Sequence, residues 1–311
     1  MKTNSNLTIT LAKIKLNNPV MMASGTFGYG KVYKDLIDLD ELGAIVTKTI
    51  TLEPRTGNAP PRTVETASGM LNAIGLQNAG IDDFLSKKLP ELMKMTKTPV
   101  IVSIGGKSVE EFVKLAKRLN SAKGIAAIEV NISCPNVKVK SKCMFAQDAK
   151  STLDVTRRIK KISKYPVIVK LSPNVTDIKE IARAAERGGA DAISLVNTFT
   201  GLSIDINSKA PRLANITGGL SGPAIKPLAL KLVWEAAGAV KIPVIGMGGI
   251  MNAADALEFL IAGASAVVIG TANFVDPGTY RKVLAGISKY MQEKKIKNLK
   301  SLIGSLKCPQ N

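Results

Sequence analysis

The 311-residue sequence contains no histidine. That absence removes Ser-His-Asp and Cys-His hydrolase centres, His-ligated zinc or haem, and histidine as a general base. Proton chemistry must then fall to Cys, Lys, Tyr, Asp, Glu or water. Cysteine is scarce as well: Cys134, Cys143 and Cys308 are too few for an all-Cys zinc site or a four-thiolate iron–sulfur cluster within the chain. Their uneven spacing also excludes a secreted disulfide framework, so a reducing cytoplasm is the expected location. Aromatic residues are only 4% of the chain, and no basic cluster is interleaved with Tyr or Phe as a stacking surface for nucleic acid requires. No run approaches the roughly 18 uninterrupted apolar residues of a membrane helix. The polar start, Met1 to Asn6, leads into no signal-peptide core. Neither a nucleic acid nor a membrane is expected as a partner.

What is present is positive charge, 43 basic against 24 acidic residues, for a formal +19. The lysines are scattered along nearly every expected helix, so the excess reads first as a solvated surface and second as an attraction for small anions or an acidic partner protein. Short β-branched runs at 19–23, 44–47, 100–103, 127–130, 167–170, 192–196, 244–247 and 266–269 alternate with amphipathic stretches such as 108–120, 149–163, 177–187, 223–239 and 253–262. This is the pattern of βαβ units on a parallel sheet. Eight units in about 250 residues fit an α/β fold of the closed (β/α)8 TIM-barrel type better than a doubly wound sheet. The alternating segment 7–16 predicts a short N-terminal β-hairpin, a plug for the bottom of the barrel. With no linker, repeat or low-complexity tract, residues 1–311 are expected to form a single domain.

Barrel chemistry sits at the carboxyl ends of the strands. The residues just past each expected strand are too polar and glycine-rich for packing: Ser24-Gly25-Thr26, Lys48-Thr49, Asn131-Ile132-Ser133-Cys134-Pro135-Asn136, Lys170 before Leu171-Ser172-Pro173-Asn174, Asn197-Thr198, Gly248-Gly249 and Gly270-Thr271. Glycines after strands seven and eight let backbone N–H groups approach a phosphate. Gly246-Met247-Gly248-Gly249 lacks the third glycine and distant acid of a dinucleotide fingerprint, so a mononucleotide phosphate such as that of FMN fits better. Lys48 and Lys170, flanked by apolar residues, are placed to compensate an anionic flavin or a substrate carboxylate. Cys134, between Asn131 and Asn136 and fixed by Pro135, is the natural base in a chain without histidine, given cationic or donor neighbours. Cys143 and Cys308 have no such context.

Four segments carry a specific resemblance: the 131–136 motif above, Met70-Leu71-Asn72-Ala73-Ile74-Gly75-Leu76-Gln77-Asn78, Ala214-Asn215-Ile216-Thr217-Gly218-Gly219-Leu220-Ser221-Gly222-Pro223, and Ile245-Gly246-Met247-Gly248-Gly249-Ile250. In register over about 7–277, the chain resembles the class 1 dihydroorotate dehydrogenases, most of all the catalytic FMN subunit of the NAD-linked subclass (class 1B). The resemblance implies oxidation of dihydroorotate to orotate in pyrimidine biosynthesis, with Cys134 removing the C5 proton while hydride leaves C6 for flavin N5. It assigns the pyrimidine and its carboxylate to Lys48, Asn72, Ala73, Ile74, Gly75, Leu76, Asn131, Asn197 and Thr198, with Asn136 assisting. FMN falls to Ser24, Lys48, Thr49, Asn131, Lys170, Val196, Gly222, Gly248, Gly249, Gly270 and Thr271; no metal is implied. Two departures stand out. Ser103 takes the place of a family Asn, which puts one flavin hydrogen bond in question. The segment 138–147 is lysine-rich where the family loop is glycine-rich, which bears on loop closure.

The resemblance further implies a partner subunit carrying FAD and a 2Fe–2S cluster, in a heterotetramer of two plus two subunits built on a homodimer of this chain. Alternatives are a fumarate-linked homodimeric dihydroorotate dehydrogenase and an FMN barrel acting on RNA, like dihydrouridine synthase. The second would explain +19, but only 42 residues follow barrel strand eight, including one expected helix at 280–295, too few for an added RNA-binding domain. A non-enzymatic basic binding module is opposed by the clustered rim residues.

Overall fold

The computed structural model describes residues 7–133 and 145–308. Eight parallel strands close into a barrel: Val20–Met22, Ala44–Val46, Val100–Ile104, Ile125–Asn131, Val167–Lys170, Ala192–Leu195, Val244–Met247 and Ala266–Ile269. They are paired in chain order, with the eighth closing on the first. All eight lie where the apolar runs predict them, because strands buried on both faces must read as continuous β-branched segments. In-register pairing carries Ser103, Glu129 and Ile168 across the third, fourth and fifth strands, and Asn131, Lys170 and Ser194 across the fourth, fifth and sixth. Polar side chains on four adjacent strands are thereby brought together inside the barrel.

The outer helices start and stop on local chemistry. Ser108, Asp148 and Asp177 accept N–H bonds at the starts of Val109–Leu119, Ala149–Ile162 and Ile178–Arg187. Asn252 and Asp255 form a reciprocal capping box on Ala253–Ala262, which ends on left-handed Gly263. The expected tail helix is Thr279–Glu293, anchored by Tyr280, whose hydroxyl donates to Glu41. Strands and helices share one apolar core. The N-terminal hairpin pairs Ile9–Leu11 with Ile14–Leu16, and its Leu11 and Leu16 are buried in that core just ahead of the first strand. Among the described residues, no helix is long and apolar enough to cross a membrane.

One layer has no counterpart in the sequence reading. Segments after the second and sixth barrel strands meet as a four-stranded antiparallel sheet, Phe199–Leu202, Thr217–Ser221, Gly69–Asn72 and Thr63–Thr66 in spatial order. It has its own small core of Val64, Leu71, Ala73 and Leu213. Its strands are short, with Gly201, Gly218 and Gly219 inside them, so strand propensity is weak and the pairing is decided by contacts some 147 residues apart, such as Asn72 Nδ2 donating to the Gly219 carbonyl.

Candidate active site

A cavity of about 430 Å³ opens at the carboxyl ends of the barrel strands. Ser24, Lys48, Thr49, Asn131, Lys170, Val196, Asn197, Thr198, Gly248, Gly249, Gly270 and Thr271 line it from the barrel, while Asn72, Ala73, Ile74, Gly75, Leu76 and Gly222 line it from the added sheet and its loops. Every site residue expected from the sequence that lies among the described residues is therefore on one wall or another of one cavity. Cys134 and Asn136 lie outside the described residues, as do Cys143 and the stretch 138–144 of the lysine-rich loop. The part of that loop that is described, Phe145–Gln147, is a short helical turn with Phe145 edge-on to Phe112 at 5.9 Å.

Two stretches of backbone on this rim are arranged for anions. At the first, the N–H groups of Gly248, Gly249, Gly270 and Thr271 have no partner among the described residues, which leaves four donors on adjacent strand ends. Gly249 has φ +76°, and a Cβ there would lie 2.9 Å from the Gly222 carbonyl oxygen, so only glycine fits. Gly270 differs: a Cβ would touch only the Ala23 Cβ, at 3.7 Å, and Gly25 meets nothing within 4 Å. Neither glycine is demanded by the protein's own packing, and both residues line the cavity. Below the loop, Asp255 accepts from the N–H groups of Met251 and Asn252 at 2.9 and 3.2 Å while Lys226 donates to it at 2.8 Å. Hydrogen bonding from Asp255, then Glu258, holds the Lys226 ammonium above its ordinary range.

At the second, the loop after Asn72 turns its carbonyls away from the cavity. The Ala73 and Ile74 oxygens accept from Asn58, the Gly75 oxygen from Arg55 and the Leu76 oxygen from Asn78. The N–H groups of Ile74, Gly75 and Leu76 find no acceptor among the described residues. Gly75 and Leu76 both have positive φ, +76° and +56°. Successive free N–H groups in such a turn make a concave anion seat the size of a carboxylate. Lys48 lies in the same cavity, half-buried; burial, and secondarily the charge of Arg62, hold its amine below the usual lysine range.

The floor is a web of hydroxyls and amides. Ser24 and Thr49 hydroxyls are 3.2 Å apart, Thr49 and Ser103 hydroxyls 2.9 Å, and Asn131 Nδ2 donates to Thr49 at 3.1 Å. Ser133 Oγ donates to Asn131 Oδ1 and accepts from Asn197 Nδ2, both at 2.9 Å. Ser103 is fully buried, does not line the cavity, and has its hydroxyl engaged by Thr49 and Glu129. Sequence reasoning missed Thr63, Met70, Gly219 and Ser221, which reach the cavity only through the added sheet. Ser221 and Gly219 sit inside the 214–223 motif, which was the available signal.

A closed barrel here gathers two sets of uncommitted backbone N–H groups and several amide side chains around one cavity at its carboxyl rim, the end of this fold where chemistry is placed. The sequence model of the family described as Dihydroorotate dehydrogenase matches residues 6–291, and the chain belongs to that family of oxidoreductases. Among similar curated proteins, those of Geotalea uraniireducens and Geobacter sulfurreducens are 53% identical over 300 residues, 96% of this chain and 98% of theirs. That of Desulforamulus reducens is 54% identical over the same shares. All three are named dihydroorotate dehydrogenase B (NAD(+)), catalytic subunit.

Proposed function

We propose that residues 1–311 form a single FMN-binding barrel that oxidises dihydroorotate to orotate in pyrimidine biosynthesis and passes the electrons to a partner subunit bearing FAD and a 2Fe–2S cluster, and so to NAD. The observation that carries this reading is the pair of anion seats in one cavity, four strand-end N–H groups on one side and the Ile74 to Leu76 N–H groups on the other. The first suits a phosphate monoester; the second, with Lys48, suits a carboxylate.

The residues present fit FMN. Gly25 and Gly270 line the cavity with Cβ-sized room beside them, and the cradle donors of Gly248, Gly249, Gly270 and Thr271 are uncommitted within the described chain. Ser24, Thr49, Asn131, Lys170, Val196 and Gly222 complete the set that would hold it. When bound, FMN supplies the hydride acceptor. The chain's own part is to seat the carboxylate on the 74–76 nest, to pair ring N–H and C=O groups with Asn72, Asn131 and Asn197, and to remove the C5 proton through the Cys134 thiolate, with Asn136 assisting. Lys48 keeps positive charge next to the anionic ligand.

The relatives' name, catalytic subunit, supports a second subunit, and three cysteines cannot ligate a 2Fe–2S cluster here. A homodimer of this chain joined to two such subunits is the assembly that follows. The test is anaerobic bleaching of the FMN-loaded protein by dihydroorotate, with NAD, fumarate and quinone offered in turn as oxidants. Bleaching by dihydroorotate is expected, and a flavin that stays oxidised sinks the reading. Efficient reoxidation by fumarate would select the fumarate-linked alternative.

A further inference from the structure

Glu129 is a carboxylate buried inside the barrel, away from the cavity wall. Ser103 Oγ approaches its Oε1 at 3.1 Å and Ser194 Oγ its Oε2 at 3.0 Å. Both hydroxyls donate to the carboxyl oxygens, and that direction propagates. Ser103, with its proton directed at Glu129, can only accept from Thr49. Thr49, donating to Ser103 at 2.9 Å, must accept from Asn131, which presents Nδ2 at 3.1 Å. With its nitrogen turned to Thr49, Asn131 shows its oxygen to Ser133; Ser133 donates to it and must accept from Asn197 Nδ2. Each link has one direction, and the direction is set at the buried end. The outcome at the cavity is that Asn197 holds its nitrogen against Ser133 and keeps Oδ1 as an acceptor with no donor among the described residues.

We propose that Glu129 is a positioning residue that acts through Ser103 and Thr49 to fix the amide orientations of Asn131 and Asn197, so that the cavity accepts a ring N–H at Asn197. Glu129 does not line the cavity. An Asn amide is nearly symmetric in shape and can turn over at little steric cost, so a cavity that must distinguish N–H from C=O on a flat heterocycle needs something that breaks the symmetry. A carboxyl acceptor at the base of the chain does so. The inference rests on the reading of this cavity as the flavin and orotate site.

Two substitutions separate polarity from packing, because each removes one donor from the same carboxylate. Ser103→Ala cuts the chain between Glu129 and Thr49, while Ser194→Ala leaves it whole; both serines are fully buried. The readouts are dissociation constants for FMN, from quenching of flavin fluorescence by apoprotein, and for orotate and 1,3-dimethylorotate, from the flavin absorption shift of the loaded protein. The wild type is expected to prefer orotate over the dimethyl compound. Ser103→Ala should reduce that preference about tenfold, the worth of one hydrogen bond, and weaken FMN several-fold through Thr49 and Asn131. Ser194→Ala should leave both as they are, and Ser103→Thr, which keeps the hydroxyl, should restore them.

Equal effects of Ser103→Ala and Ser194→Ala, or an unchanged preference in Ser103→Ala, would overturn the proposal. If Ser103→Ala does not fold, Ser103→Cys, whose thiol is a weak donor, is measured in its place with the same expectation. A wild-type protein that binds FMN but gives no shift with orotate would sink the dihydroorotate reading instead. The polarity would then stand or fall on whether FMN affinity drops in Ser103→Ala and not in Ser194→Ala.

Discussion

Cys134 carries the proton chemistry of the proposed reaction, and the missing histidine makes its test clean. Cys134→Ser is expected to slow anaerobic flavin bleaching at neutral pH by about 10²- to 10⁴-fold, the usual worth of a general base, with partial recovery on the alkaline side; an unchanged rate removes the assignment. Lys48 gives a second test at this scale. Burial and Arg62 disfavour its ammonium, so its charge is lost at a lower pH than an ordinary lysine loses it. Orotate affinity should therefore weaken with rising pH before the ordinary lysine range is reached. That alkaline limb should vanish in Lys48→Met, which a titration by flavin absorption would show. Cys134 lies outside the described residues; Lys48 was legible because a lysine is an odd residue type at the end of an apolar strand, and it lines the cavity. Glu129 was not: in sequence it is one acid within an apolar strand, and only the barrel brings Ser103 and Ser194 onto its two oxygens.

At the scale of elements, the helix caps and the glycine turns follow directly from local sequence, and the two cradle glycines serve different ends. Gly249→Ala forces a left-handed residue against the Gly222 carbonyl and should cost about 1–3 kcal/mol of stability, read as a lowered Tm of the apoprotein. Gly270→Ala meets only the Ala23 methyl at 3.7 Å. Its Tm without flavin should match the wild type, while FMN affinity falls about tenfold or more as the methyl occupies cradle space. A Gly270→Ala protein that binds FMN normally would show the cradle to be misplaced. Lys226 supports the same loop from below. Its ammonium is stabilised in the fold by Asp255 and Glu258, so its contribution is fully present below the ordinary lysine pKa and is lost only as pH rises through the elevated folded value. Lys226→Met should accordingly lower Tm at neutral and at moderately alkaline pH alike.

For the molecule as a whole, the purified chain loaded with FMN is expected to be reduced by dihydroorotate yet to leave NAD unreduced, because nothing in it can ligate the 2Fe–2S relay; rapid NADH formation without a second subunit would overturn the two-subunit scheme. The barrel itself was determined by sequence. Eight β-branched runs separated by capped amphipathic helices leave few ways to bury both faces of a parallel sheet, and strand ends then place Ser24, Lys48, Asn131, Lys170, Asn197 and the cradle glycines on one rim. Tertiary structure decided what local pattern cannot encode. The antiparallel sheet that brings Thr63, Met70, Asn72, Gly219 and Ser221 to the cavity joins segments far apart in the chain whose strands are short and glycine-interrupted. The turn of the Ala73 to Leu76 carbonyls depends on Arg55 and Asn58, from the segment ahead of that sheet, and on Asn78 just past the loop. The direction of every hydrogen bond on the cavity floor depends on a carboxylate whose partners lie on two other strands. Periodicity reports which face of an element is buried; the identity of the group it meets there is set only when the barrel closes.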